Sequence, residues 1–200
     1  MDPAITAKLL KMANSSLFNL EDKIQALRGI VGRLGTYSTR EIAACFAFRD
    51  VYKNTPPELV TLLEEQVLEA RQVSALAEAI AEITDNFDPE VAAMAGLLHN
   101  VGVLPIFSYP MRNVTYAMNP KLVVRAIEKI GSKAGALLAK KWRFSEDIVR
   151  SIEHSNDWSY VQGDKADLVS IILTAKYHYL LSRSWLDKRD LFQQQHVATE

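Results

Sequence analysis

Apolar residues recur every three or four positions along nearly the whole of this chain, and nowhere do they alternate long enough to make a strand. That spacing confines the chain to packed helices. After Asp2-Pro3, which reads as an N-cap and first turn, Ile5, Leu9 and Met12 share one face. Ile24, Leu27, Val31 and Leu34 mark a second helix, and Ser38-Thr39-Arg40-Glu41 fits a capping box for a third. Leu59, Leu62, Leu63, Val67, Ala70, Val73, Ala77 and Ile80 form one stripe over Glu58 to Thr84, a helix with the small residues of a bundle centre. Asp88-Pro89-Glu90 opens the next helix, which Gly102 ends, and residues 103–119 read as irregular or as short helical turns. Pro120 starts another, with Gly131-Ser132 as a bend or break. Ser145-Glu146-Asp147 restarts the pattern with Ile148, Val149 and Ile152 inward. Asn156 to Gly163 is a loop, Ala166 to Leu180 the last long helix, and residues 181–200 a fraying tail.

The expected fold is therefore an all-α, compact multi-helix bundle. At 200 residues, 48% hydrophobic and 24% charged, the chain can bury one core without disulfide or metal. The breaker Asn54-Thr55-Pro56-Pro57 divides that single domain (1–200) into a smaller N-terminal lobe, 1–55, and a larger helical lobe, 58–182. The lone Cys45, among Ala43, Ala44 and Phe46, reads as a buried thiol. A net charge of −1 argues against a dedicated nucleic-acid binder. Residues 1–55 do carry eight Lys/Arg against five Asp/Glu, a surplus of three that reads as a solvated face. Met1-Asp2-Pro3 begins no signal peptide, and no uninterrupted apolar run reaches about 18 residues. A cytoplasmic protein with no membrane partner is the expectation.

Four histidines are the main candidates for chemistry. His99 and His154 each stand at a helix end, where two imidazoles and a carboxylate could share a metal, or where each could simply cap its helix. Glu153 and Asp157 lie close to His154 in sequence. Asp85, Asp88 and Glu90 suit a helix N-terminus. His178, between Tyr177 and Tyr179, reads as a packed ring and His196 as a tail residue. No phosphate-binding glycine loop, HExxH helix or GxSxG elbow is present. Trp142, Trp158 and Trp185 are core or interface anchors, and Trp158-Ser159-Tyr160, in a loop, is the candidate interface.

Four segments, in order, carry a resemblance. Ala95-Gly96-Leu97-Leu98-His99-Asn100-Val101-Gly102 resembles the AGLLHDIG signature of HD-related domains, with Asn100 where the aspartate stands. Residues 2–15, DPAITAKLLKMANS, resemble the DPALTAKLLRLANS stretch of the HDOD family, the HD-related output domain of bacterial signalling proteins. Gly135-Ala136-Leu137-Leu138 followed by Trp142 resembles a third family motif, with Ser145 in place of its proline. Ile152-Glu153-His154-Ser155 resembles the fourth and keeps only the first of two histidines.

The resemblance implies an HD-domain-like fold and a degenerate site. HD enzymes hold metal ions with histidines and the HD aspartate to activate water for phosphohydrolysis. Here the family's upstream histidine falls near Glu69, another falls near Gly131, and the aspartate is Asn100, a neutral amide and a poor ligand for a hard cation. The expected pocket is thus a vestige built from Glu69, His99, Asn100 and His154, with no metal and no cofactor. The implied role is a non-catalytic bacterial signal-transduction module that binds a protein partner or signalling domain, or a small nucleotide ligand. The competing reading is a residual metal-dependent phosphohydrolase or phosphodiesterase using Glu69, His99 and His154. Because the sequence starts inside the DPALTAKLL-like stretch, the N-terminal part of the family domain is expected to be missing.

Overall fold

The computed structural model describes residues 51, 53–84, 86–109, 119–161 and 165–197, with side chains as far as 185. The expectations for Asp2-Pro3, the helix over 21–34, the capping box at 38–41, Cys45 and most of the lobe 1–55 lie outside these residues, as does the side chain of His196. Among the described residues, six helices have defined bounds: α1 Pro57–Thr84, α2 Pro89–Leu98, α3 Val103–Ser108, α4 Pro120–Lys141, α5 Glu146–Glu153 and α6 Leu168–Val197. Among the described residues there is no strand.

The chain divides into two compact units. One comprises Met1–Leu63 and Leu104–Val123, and its described core is Leu59, Leu63, Leu104, Ile106, Phe107 and Val123. The other comprises Glu64–Val103 and Val124–Glu200 and carries the candidate residues Glu69, His99, Asn100 and His154. There α2, α5 and α6 pack on one another. The stripe of α1 supplies Ala70, Val73, Ala77 and Ala81 to the core, α5 supplies Ile148, Val149 and Ile152, and α6 supplies Ile172, Ala175 and Tyr179.

Local chemistry sets the helix ends. Asp88 caps α2 by accepting from the amides of Glu90 (2.9 Å) and Val91 (3.3 Å), and Pro89 takes the first turn, where no amide is needed. Helix α4 closes with the Phe144 amide donating to the Ala139 carbonyl (3.1 Å) and Arg143 to Lys140 (3.0 Å). This is a Schellman close, and Arg143 adopts the left-handed conformation, φ 60°, where glycine is the usual choice.

Residues 103–108 form the short helix α3, the second of the two readings of 103–119. Several expectations need correction. Helix α4 runs through Gly131-Ser132 unbroken. A glycine costs a helix about 1 kcal/mol, which neighbouring turns absorb, and here it serves packing. A Cβ on Gly102 would fall 1.9 Å from the Gly131 carbonyl oxygen and 2.7 Å from the Gly135 nitrogen, so the chain passes α4 backbone against backbone. Helix α6 extends to Val197, well past Leu180, since residues 181–197 hold neither glycine nor proline and many good helix formers. His178 is exposed, because α6 turns Ile172, Ala175, Lys176 and Tyr179 inward. Pro89–Ser108 is long and apolar enough by composition to match a membrane span, yet 72% of the matching window is buried within the fold, and the turn at 99–102 splits it into two helices.

Candidate functional site

Helix α1 contributes Glu69 and the end of α2 contributes His99. The two elements approach closely because Gly96 lies on α1: a Cβ there would sit 2.7 Å from the Ser74 Cα, and the Ser74 hydroxyl donates to the Ala93 carbonyl at 2.8 Å. This contact brings His99 Nε2 to 3.3 Å from Glu69 Oε1. The other ring nitrogen, Nδ1, lies 2.7 Å from the Gly96 carbonyl, to which it donates. The His99 side chain is fully buried and that of Glu69 is 16% exposed.

Lys176 completes the group. It stands on the inward face of α6, its side chain only 10% exposed, with Nζ 3.4 Å from Glu69 Oε1. The same ammonium donates to Asn156 Oδ1 in the loop after α5. Burial pushes the Glu69 carboxyl up, but the His99 contact and the Lys176 charge more than offset it and hold the group at about 2. Burial pushes His99 down, and the neighbouring ammonium adds to that, against the pull of Glu69. Burial also lowers Lys176, against the same carboxylate. One carboxylate oxygen, Glu69 Oε1, thus meets both the Lys176 ammonium and the His99 ring.

The other expected residues stand differently. Asn100 turns its amide to donate to the Gln66 carbonyl at 2.8 Å, and its buried Oδ1 has no hydrogen-bond partner among the described residues. His154 is the C-cap of α5, its Nδ1 3.2 Å from Asp157 Oδ2 and its ring 4.8 Å from that of Tyr160. Tyr160 donates to Asp167 Oδ2 (2.7 Å) and accepts from Arg150 (2.9 Å), so its hydroxyl is committed within the fold. Trp158 is 54% exposed. A cavity of about 320 Å³ lies elsewhere, among Asp88, Asp147 and Asp167 at the starts of α2, α5 and α6. Asp88 and Asp167 are occupied there in capping their helices, and none of the expected site residues lines it.

The metal implied by HD chemistry does not fit these residues. Among the described residues, no three or more His, Cys, Asp or Glu side chains are grouped to hold an ion. An ion about 2 Å from Glu69 Oε1 would press against the Lys176 ammonium that already contacts this oxygen. Lys176 is not among the candidate residues that the sequence singles out. The available signal was that it is the one Lys, Arg, Asp or Glu between Leu168 and Tyr179.

Comparison with known proteins gives the following. The family model of the HDOD domain matches residues 1–158. A solved HDOD domain protein of unknown function from Geobacter sulfurreducens is 28% identical, with a TM-score of 0.54, over 91% of this chain and 63% of that one. A solved protein from Shewanella amazonensis SB2B, provisionally named a metal-dependent phosphohydrolase, is 22% identical with a TM-score of 0.62, over 89% of this chain and 65% of that one. At that identity the likeness is one of fold. An uncharacterized protein of Treponema pallidum (strain Nichols) is 23% identical over 186 residues. The chain spans 35% of that relative's length and just under two thirds of each solved chain.

Proposed function

The chain belongs to the HDOD domain family, and from that membership and the ammonium held against Glu69 we propose that it is a non-catalytic regulatory module of bacterial signalling, working in the cytoplasm. It acts by binding, to a protein partner or signalling domain or to a small nucleotide ligand, as one domain in which the family frame survives and the chemistry does not. The observation that carries this reading is the Lys176 Nζ, 3.4 Å from Glu69 Oε1 in a nearly closed site. Hydrolysis through a metal-activated water needs an open coordination position beside carboxylate and imidazole ligands. Here the carboxylate is already neutralised, the aspartate of the signature is Asn100, and the Asn100 amide donates to Gln66.

The competing reading, a residual phosphohydrolase, draws on the Glu69–His99 pair and the fold shared with the Shewanella protein. One assay separates the two. The protein is incubated with bis(p-nitrophenyl) phosphate and with cyclic dinucleotides in Mn²⁺, Fe²⁺ or Zn²⁺. No turnover above a His99→Ala control is expected. Turnover that the control abolishes would establish the enzyme. Cyclic dinucleotides that bind without turnover would favour the ligand-sensing form, and their failure to bind would leave the protein-partner form.

A further inference from the structure

His99 meets two acceptors, the Gly96 carbonyl at 2.7 Å and Glu69 Oε1 at 3.3 Å. The shorter contact is the one to the carbonyl, and a buried carboxylate calls for a cation beside it. The chain provides one. Lys176 reaches the site from α6 and contacts the same oxygen, Oε1. The separation of Nε2 and Oε1 has a further meaning. Ligand atoms about 2.0–2.1 Å from one Zn²⁺ at a tetrahedral angle lie about 3.3–3.4 Å apart, and Nε2 and Oε1 are 3.3 Å apart.

We propose that Lys176 is the resident cation of this site, a covalently tethered ammonium in the role of a bound metal ion, and that it masks a two-point divalent-cation site made by Glu69 and His99. This rests on the non-catalytic reading above and gives it a physical basis. An exchangeable ion leaves with a chelator, whereas a side chain does not. The module therefore keeps its site closed and charge-balanced whatever the metal supply, and removal of the lysine uncovers the paired ligands.

The experiment is a Zn²⁺ titration of the full chain, read by thermal unfolding and calorimetry. It compares wild type, Lys176→Ala, and Lys176→Ala combined with Glu69→Gln. Lys176→Ala is expected to bind Zn²⁺ at least tenfold more tightly than wild type. Its Tm should rise by about 5–10 °C once Zn²⁺ reaches about a hundredfold its Kd, and adding Glu69→Gln should abolish the gain. A folded Lys176→Ala that takes up no more Zn²⁺ than wild type overturns the inference and leaves the non-catalytic reading standing. A wild type that binds Zn²⁺ through Glu69 and His99 with Lys176 in place overturns both. If Lys176→Ala does not fold, the neutral pair Glu69→Gln with Lys176→Met decides. A pair that folds while each single variant is destabilised supports mutual counter-ions, and a pair no better than the worse single variant overturns them.

Discussion

Glu69→Gln keeps the side chain's shape and removes its charge, leaving the Lys176 ammonium buried with only neutral amide oxygens to meet it. The cost follows from the carboxyl's own titration. Held at about 2 in the fold against an ordinary 4.5, it contributes about 3 kcal/mol at pH 7. The side chain is 16% exposed, so solvent screens little of this, and breaking one partner out of a buried pair typically costs about 3–5 kcal/mol. For a chain of this length that is a fall in Tm of about 6–12 °C. The dependence on pH separates charge from packing. Because the folded carboxyl titrates lower, the unfolded chain binds more protons between the two values. The stabilisation is complete above about 4.5 and is lost as pH falls through about 2. Urea unfolding at pH 7, 5, 4 and 3 should therefore show the gap between wild type and Glu69→Gln narrowing, with about 2 kcal/mol of it gone by pH 3. Burial of His99 also weakens both proteins below its ordinary 6.5, and because Glu69 pulls that ring up, the same series in a His99→Gln background isolates the carboxyl's part. A gap below about 1 kcal/mol at pH 7, or one that does not change with pH, would refute the reasoning.

Three further substitutions test the frame around the site. Gly102→Ala drives a Cβ into the Gly131 carbonyl oxygen and should cost about 3 kcal/mol or more, read as a lowered urea midpoint or as insoluble protein. Arg143→Gly relieves the left-handed backbone at the end of α4 and should stabilise the fold by about 1 kcal/mol, read as a raised Tm. Asp88→Ala removes the side-chain cap of α2 and should cost about 1 kcal/mol, with faster hydrogen exchange at the Glu90 and Val91 amides.

The course of the fold was readable wherever one helix face decided it. The stripe from Leu59 to Ile80 requires a helix whatever packs on it, and the structure has that helix from Pro57 to Thr84. Gly131 was not readable in this way. Alone it weakens a helix, and its value lies in a backbone contact with Gly102, far away in sequence. The tail beyond Leu180 is polar, which suggests fraying, yet residues 181–197 are free of helix breakers and continue α6. At the site, His99 and Asn100 stood out through the signature they resemble, and Glu69 through the spacing of that family. No periodicity places Glu69 against His99; the close packing at Gly96 does so. Lys176 was visible as a charge in an apolar helix, but its partner lies on another helix, and a buried ion pair of this kind leaves no local pattern.

The most direct measurement is the metal content of wild-type protein purified without chelator or His-tag, by mass spectrometry, before and after soaking in Mn²⁺, Fe²⁺ and Zn²⁺. With Lys176 as the cation beside Glu69, the content should stay far below one ion per chain under every soak. One ion per chain that disappears in His99→Ala would mean that the site holds metal despite Lys176 and Asn100, and would contradict the non-catalytic reading.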